Sequence, residues 1–99
     1  MKNASGYIDK LNLNLTNPTT RLGPYTLRLE GIEKDGNAMF SLSKFGKKVD
    51  TTLAGEGTTA TLNFENGDTG VEFKLVKAFS GGSTGIVQLE DIITANLVQ

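Results

Sequence analysis

The 99-residue sequence contains no cysteine, no histidine and no tryptophan. Without cysteine there is no thiol nucleophile, no disulfide and no thiolate metal site, and without histidine the usual general base and the imidazole ligand are gone as well. Asp/Glu pairs could still act as acid and base, but no spacing in the chain places such a pair. The expectation is therefore a protein that is not an enzyme, with no cofactor and no metal. Missing tryptophan also removes the best ring for stacking on a sugar, which leaves Tyr7, Tyr25 and Phe45 as candidate surface rings. Neither sign of charge dominates: ten Lys and Arg stand against eleven Asp and Glu, for a net charge of −1. Nucleic-acid binders gather positive charge on one face, so nucleic acid is not an expected partner. No apolar run approaches the roughly 20 residues of a membrane span, so direct membrane insertion by this chain is not expected. Residues 1–6 are too short and polar for an export signal, so an exported parent would carry that signal elsewhere.

What the sequence has in quantity is apolar–polar alternation broken by turn residues. Tyr25/Leu27/Leu29, Phe40/Leu42 and Val49/Thr51/Leu53 form three period-2 runs. Seven strands are expected, over 7–15, 25–32, 37–44, 48–53, 58–64, 71–79 and 86–93, with 19–24 as a connection. Asp35-Gly36 offers the two positive-φ positions of a type I′ turn, and Gly46 offers another. Leu11, Leu13 and Leu15 share one face of the first strand, with Asn12 and Asn14 on the other. Gly31 is a candidate bulge that resets the phase before Ile32. Strict alternation over 71–79 buries Val71, Phe73, Leu75 and Phe79, and leaves Lys77 pointing inward unless the strand bulges near Val76. That strand is the most apolar and belongs in the centre of a sheet. The fold class is all-β: one domain, residues 1–99 with an ordered core of about 7–93, built as a single antiparallel β-sandwich of about seven strands. A chain of this size hides roughly 60 to 65% of its unfolded surface, so its core is thin.

Four local patterns resemble chemistry and read better as turns. Gly55-Glu56-Gly57-Thr58-Thr59-Ala60 fits G-x-G-x-x-A, but a threonine-rich strand follows where a dinucleotide site needs a helix, so a hairpin turn is expected. Gly81-Gly82-Ser83-Thr84-Gly85 lacks the lysine and helix of a phosphate loop and reads as a flexible loop. Glu33-x-Asp35-Gly36-Asn37 misses the calcium-loop spacing. Lys44-Phe45-Gly46-Lys47-Lys48 sets three cations around an exposed ring, either as a solvated turn with protective lysines or as a contact for an acidic neighbour. Two N-x-[ST] triplets make Asn3 and Asn14 possible glycan acceptors, and Pro18 disqualifies the triplet at Asn17.

Taken together, Leu22-Gly23-Pro24-Tyr25-Thr26-Leu27-Arg28-Leu29-Glu30-Gly31-Ile32, then Asp35-Gly36-Asn37-Ala38, then Ser41-Leu42-Ser43-Lys44-Phe45-Gly46-Lys47-Lys48-Val49-Asp50 resembles the archaeal S-layer duplication domain of methanogen surface proteins. Gly55-Glu56-Gly57-Thr58, the run 71–79 with Ser80-Gly81-Gly82, and Val87-Gln88-Leu89-Glu90-Asp91-Ile92 continue the order over most of the chain. The resemblance implies a β-sandwich module at the outside of an archaeal cell, tiling with other S-layer modules or surface proteins into a coat, with no catalytic residues. Lys44, Phe45, Lys47 and Lys48 are then the candidate contact between modules. The alternative, from a different class, is a small ligand- or carbohydrate-binding β-sandwich module.

Overall fold

The computed structural model describes residues 6–80 and 85–94. Eight strands and no helix lie among them: β1 (Gly6–Asn14), β2 (Thr19–Leu22), β3 (Tyr25–Ile32), β4 (Asn37–Lys44), β5 (Lys47–Gly55), β6 (Thr59–Asn63), β7 (Thr69–Phe79) and β8 (Ile86–Thr94). They form two four-stranded antiparallel sheets, ordered β1-β8-β7-β6 and β2-β3-β4-β5. The fold is an all-β sandwich, with β7, the most apolar strand, in the interior of its sheet.

The core lies between the inner faces. Leu27, Leu29, Phe40 and Leu42 come from one sheet, and Leu62, Phe73, Leu75, Val87 and Leu89 from the other; all are fully or almost fully buried. Phe40 and Phe73 meet edge to face across the seam, with centroids 4.9 Å apart and planes at 69°, the arrangement that the ring quadrupoles favour.

Where the structure departs from strict alternation, a bulge or a turn is the reason. The strand β2 was expected to be a connection. It pairs with β3 through a two-residue turn in which Gly23 takes a φ of 66° ahead of Pro24, so the proline sits in the turn and costs the ladder nothing. The expected bulge at Gly31 is present, between Leu29 and Gly31 on β3. A second falls where Leu42 faces Asp50 but Ser43 faces Lys48, which makes Val49 the extra residue of β5. The phase of β5 is thereby reset: Leu53, expected inside, is exposed beside Met39, and Ala54 faces the core. A third lies between Leu75 and Lys77 on β7, at Val76. It turns Lys77 out, and Phe79, expected in the core, is 64% exposed. Leu15 falls just beyond β1 and is exposed instead of sharing the face of Leu11 and Leu13.

Two turns also differ from expectation. At 33–36 only Gly36 has a positive φ, so this is a four-residue loop closed by Glu33 N donating to Asn37 O at 2.7 Å, and not a type I′ turn at Asp35-Gly36. Residues 55–58 do not make a hairpin: β5 and β6 belong to different sheets, and this turn carries the chain across the sandwich. It is seated on β7 by Gly57 N donating to Leu75 O and Leu75 N donating to Thr58 O, at 2.7 and 2.9 Å.

The bulge at Val76 makes a direct prediction about two phenylalanines on one strand. Phe73→Ala should cost about 3–5 kcal/mol in urea unfolding, whereas Phe79→Ala should stay within about 0.5 kcal/mol of the parent. Equal losses would mean that β7 runs unbulged.

Candidate functional site

The tip of the β4–β5 hairpin combines a strained backbone with an exposed ring. Lys44 pairs with Lys47, so only Phe45 and Gly46 make the turn, at φ values of 52° and 78°. That is the geometry of a type I′ turn, which prefers asparagine or glycine at its first position. A phenylalanine there is a true outlier, because its side chain crowds its own backbone. Its ring is nevertheless 86% exposed, so no burial within the chain offsets the strain.

The turn stands on a built base. Tyr25, at the start of β3, stacks on Phe64 with centroids 4.7 Å apart. The Phe64 ring lies so close to the backbone of Gly70 that a Cβ there would sit 2.5 Å from it, which is why glycine occupies that position. The Tyr25 hydroxyl donates to Glu65 Oε1 at 2.6 Å, and Glu65 Oε2 holds Lys44 Nζ at 3.4 Å. Lys44 Nζ lies 5.3 Å from the centre of the Tyr25 ring and 5.8 Å from that of Phe45, within cation–π range of both. Lys48 is drawn to Glu30 at 3.6 Å, and Glu30 also accepts a hydrogen bond from the buried Ser41 hydroxyl. Lys47 makes no ion pair among the described residues.

Beside Phe45 lies an open groove of about 610 Å³ lined by Lys44, Phe45, Lys47, Lys48, Val49 and Glu65. A smaller hollow of about 240 Å³, also bordered by Phe45, is lined by Arg21, Pro24, Thr26 and Gly46. The ring thus borders two cationic depressions, suited to an apolar and acidic partner surface. All four residues read from the sequence as a contact, Lys44, Phe45, Lys47 and Lys48, are brought together. Arg21, Tyr25, Phe64, Glu65 and Gly70 were not foreseen as parts of it, since they belong to β2, β3, the β6–β7 connection and the start of β7 and carry no local motif.

The other candidates fare differently. Tyr25, proposed as a surface ring, is buried and serves as scaffold; Tyr7 and Phe45 are exposed as expected. The Asn14 amide oxygen accepts hydrogen bonds from Thr16 N and Asn17 N, at 2.9 and 2.7 Å, and so shapes the turn after β1. Asn3 lies outside the described residues, as do residues 81–84 of the glycine-rich loop. The Asp35 carboxylate takes up Asn37 N at 3.2 Å, a turn contact.

Burial, followed by the hydrogen bond to Glu65, pushes the Tyr25 phenol up to about 12. The same hydrogen bond from Tyr25, helped by the backbone amide of Glu65 and by Lys44, holds the Glu65 carboxyl below its usual value. Tyr7 is also raised to about 12, first by its hydrogen bond to Asp91. A phenol whose folded pKa exceeds its unfolded value of 10 contributes stability that is whole below pH 10 and is lost between pH 10 and about 12. Glu65 has the opposite sign, contributing above its unfolded value of 4.5 and losing that contribution as pH falls below it. Because the chain has two tyrosines and no tryptophan, tyrosinate absorbance reports this cleanly. The folded protein should show almost no tyrosinate at pH 10, where the unfolded chain is half ionised. With Tyr7→Phe removing one reporter, Glu65→Gln should move the Tyr25 titration downward while burial keeps it above 10. Titration of Tyr25 at its ordinary value in the folded state would contradict the geometry. No protein-family model matches the chain, and neither does any curated protein.

Proposed function

We propose that this chain is a structural and interaction module of a cell-surface protein, of the archaeal S-layer type that its motif order resembles, and that the Phe45 hairpin tip is its contact with neighbouring modules. The observation that carries this reading is Phe45 itself: a bulky ring at a φ of 52°, 86% exposed, on a braced base. Backbone strain of this kind costs on the order of 1–3 kcal/mol and persists where a site uses it. An exposed ring bordered by cations is spent on something outside the chain, since it buries nothing within it.

The mechanism is contact without reaction chemistry. The ring enters an apolar depression of a neighbour, while Lys44, Lys47, Lys48 and Arg21 meet carboxylates at its rim. Charges so placed set partner choice and encounter rate more than final affinity. The braced base means that little order has to be imposed on binding.

Phe45→Gly separates structure from function. It relieves the left-handed strain, less the extra backbone freedom of glycine, so folding stability should rise or stay level within about 1 kcal/mol while partner contact is lost. A loss of several kcal/mol would mean that the ring is structural. Location is tested by labelling intact source cells with a membrane-impermeant amine reagent: the lysines of the native protein should be modified, and protein found only in the cell interior would sink the surface reading.

A further inference from the structure

The outer face of the other sheet carries a second exposed apolar centre, of opposite charge. On β8, Ile93 lies in one cross-strand row between Tyr7 of β1 and Glu72 of β7. Tyr7 and Ile93 are 60% and 45% exposed. The Tyr7 hydroxyl donates to Asp91 Oδ1 at 2.7 Å and lies 3.5 Å from Asp9 Oδ1. Asp9, Glu72 and Asp91 are themselves exposed, so a phenol and a sec-butyl side chain are bordered by three carboxylates. The nearest cations, Lys10 and Lys74, stand on either side of Glu90 in the neighbouring row. The hairpin tip is the inverse: one phenyl ring bordered by Lys44, Lys47, Lys48 and Arg21, with Glu65 already engaged by Tyr25 and Lys44.

Each centre also holds one of the two non-glycine residues with positive φ among the described residues, Phe45 and Asp91. Strain or irregularity in a strand re-aims a side chain. Here it lifts a ring clear of one surface and brings a carboxylate beside the ring of the other.

We propose that these two surfaces bind each other between copies of this chain: the Phe45 tip of one molecule docks on the Tyr7–Ile93 face of the next. The proposal rests on reading the tip as a protein contact, and it adds the partner, a second copy. The two patches belong to different sheets of the sandwich, so a molecule whose tip is engaged still offers its face to a further copy. Such a heterologous contact propagates into chains or closes into rings. A hairpin tip covers little area, so the contact is weak, reversible and reduced by salt.

The test uses the full chain and two charge-reversed variants, followed by sedimentation at rising concentration and low salt. The first, Arg21→Glu with Lys47→Glu, makes the tip acidic; the second, Asp9→Lys with Glu72→Lys, makes the face basic. The parent should self-associate reversibly, and each variant alone should associate about tenfold or more weakly, since it opposes like charges. Mixing the two should restore association, because the untouched face of the first accepts the untouched tip of the second. Phe45→Ser, which leaves every charge in place, should also weaken association, and it guards against a reversal variant that folds poorly. A parent that remains monomeric at millimolar concentration overturns the pairing, as does a folded pair of variants that fails to restore it, or reversal variants that associate like the parent. None of these outcomes touches the surface-labelling result, so failure of this pairing and failure of the surface reading are told apart.

Discussion

Everything in this fold depends on keeping one thin apolar layer dry between two four-stranded sheets. With Phe40 and Phe73 crossing its centre edge to face, that layer sets the inward phase of every strand, because a one-residue slip would turn a buried face to water. Where a strand needs more residues than the phase allows, it takes up the extra one as a bulge: on β3 at Glu30, on β5 at Val49, on β7 at Gly70 and Val76, and on β8 at 91–92. The layer is dry on both sides only if the sheet edges are also closed. Asp50 on β5 accepts Asn63 N at 2.8 Å across the gap between sheets, and Glu56 accepts Ala78 N at 2.8 Å where β6 is too short to cover β7. Two carboxylates thus satisfy strand amides that would otherwise form an open edge.

The same layer supports the hairpin tip. Tyr25 enters the core from β3 and carries Phe64 on its ring, and Phe64 in turn packs against Gly70 at the start of β7. Glu65 then links the buried phenol to Lys44 at the base of the turn. A short path of packed rings and one charged hydrogen bond therefore runs from the core to the most exposed aromatic side chain of the molecule. This explains how a two-residue turn tolerates phenylalanine at a left-handed position: Lys44 before it and Lys48 after it are held by Glu65 and Glu30.

Much of this was legible from residue order. Alternation identified seven of the eight strands and most of the core, Gly31 marked its bulge, and the cluster Lys44-Phe45-Gly46-Lys47-Lys48 marked the tip. The failures share one physical origin. An inward Lys77 pointed to the bulge near Val76 that the structure has, but strict alternation still put Phe79 in the core, and nothing local marked the bulge at Val49 that turns Leu53 out. Nothing local shows that Pro24 sits in a turn between paired strands, so β2 was missed. Tyr25 looked as fit for the surface as Tyr7, since a phenol suits either place until the chain folds over it.

Residue order by itself determined the all-β class, most of the turn positions and the chemistry available at the tip, because those follow from period-2 patterning and from side-chain identity. Only the tertiary structure decided which edges close on each other, that β5 bulges at Val49, and that Glu65 reaches Tyr25 from 40 residues away. It also decided that the basic ring and the acidic face lie on different sheets of one sandwich. These are relations between segments, set by which faces exclude water together, and no single segment carries them.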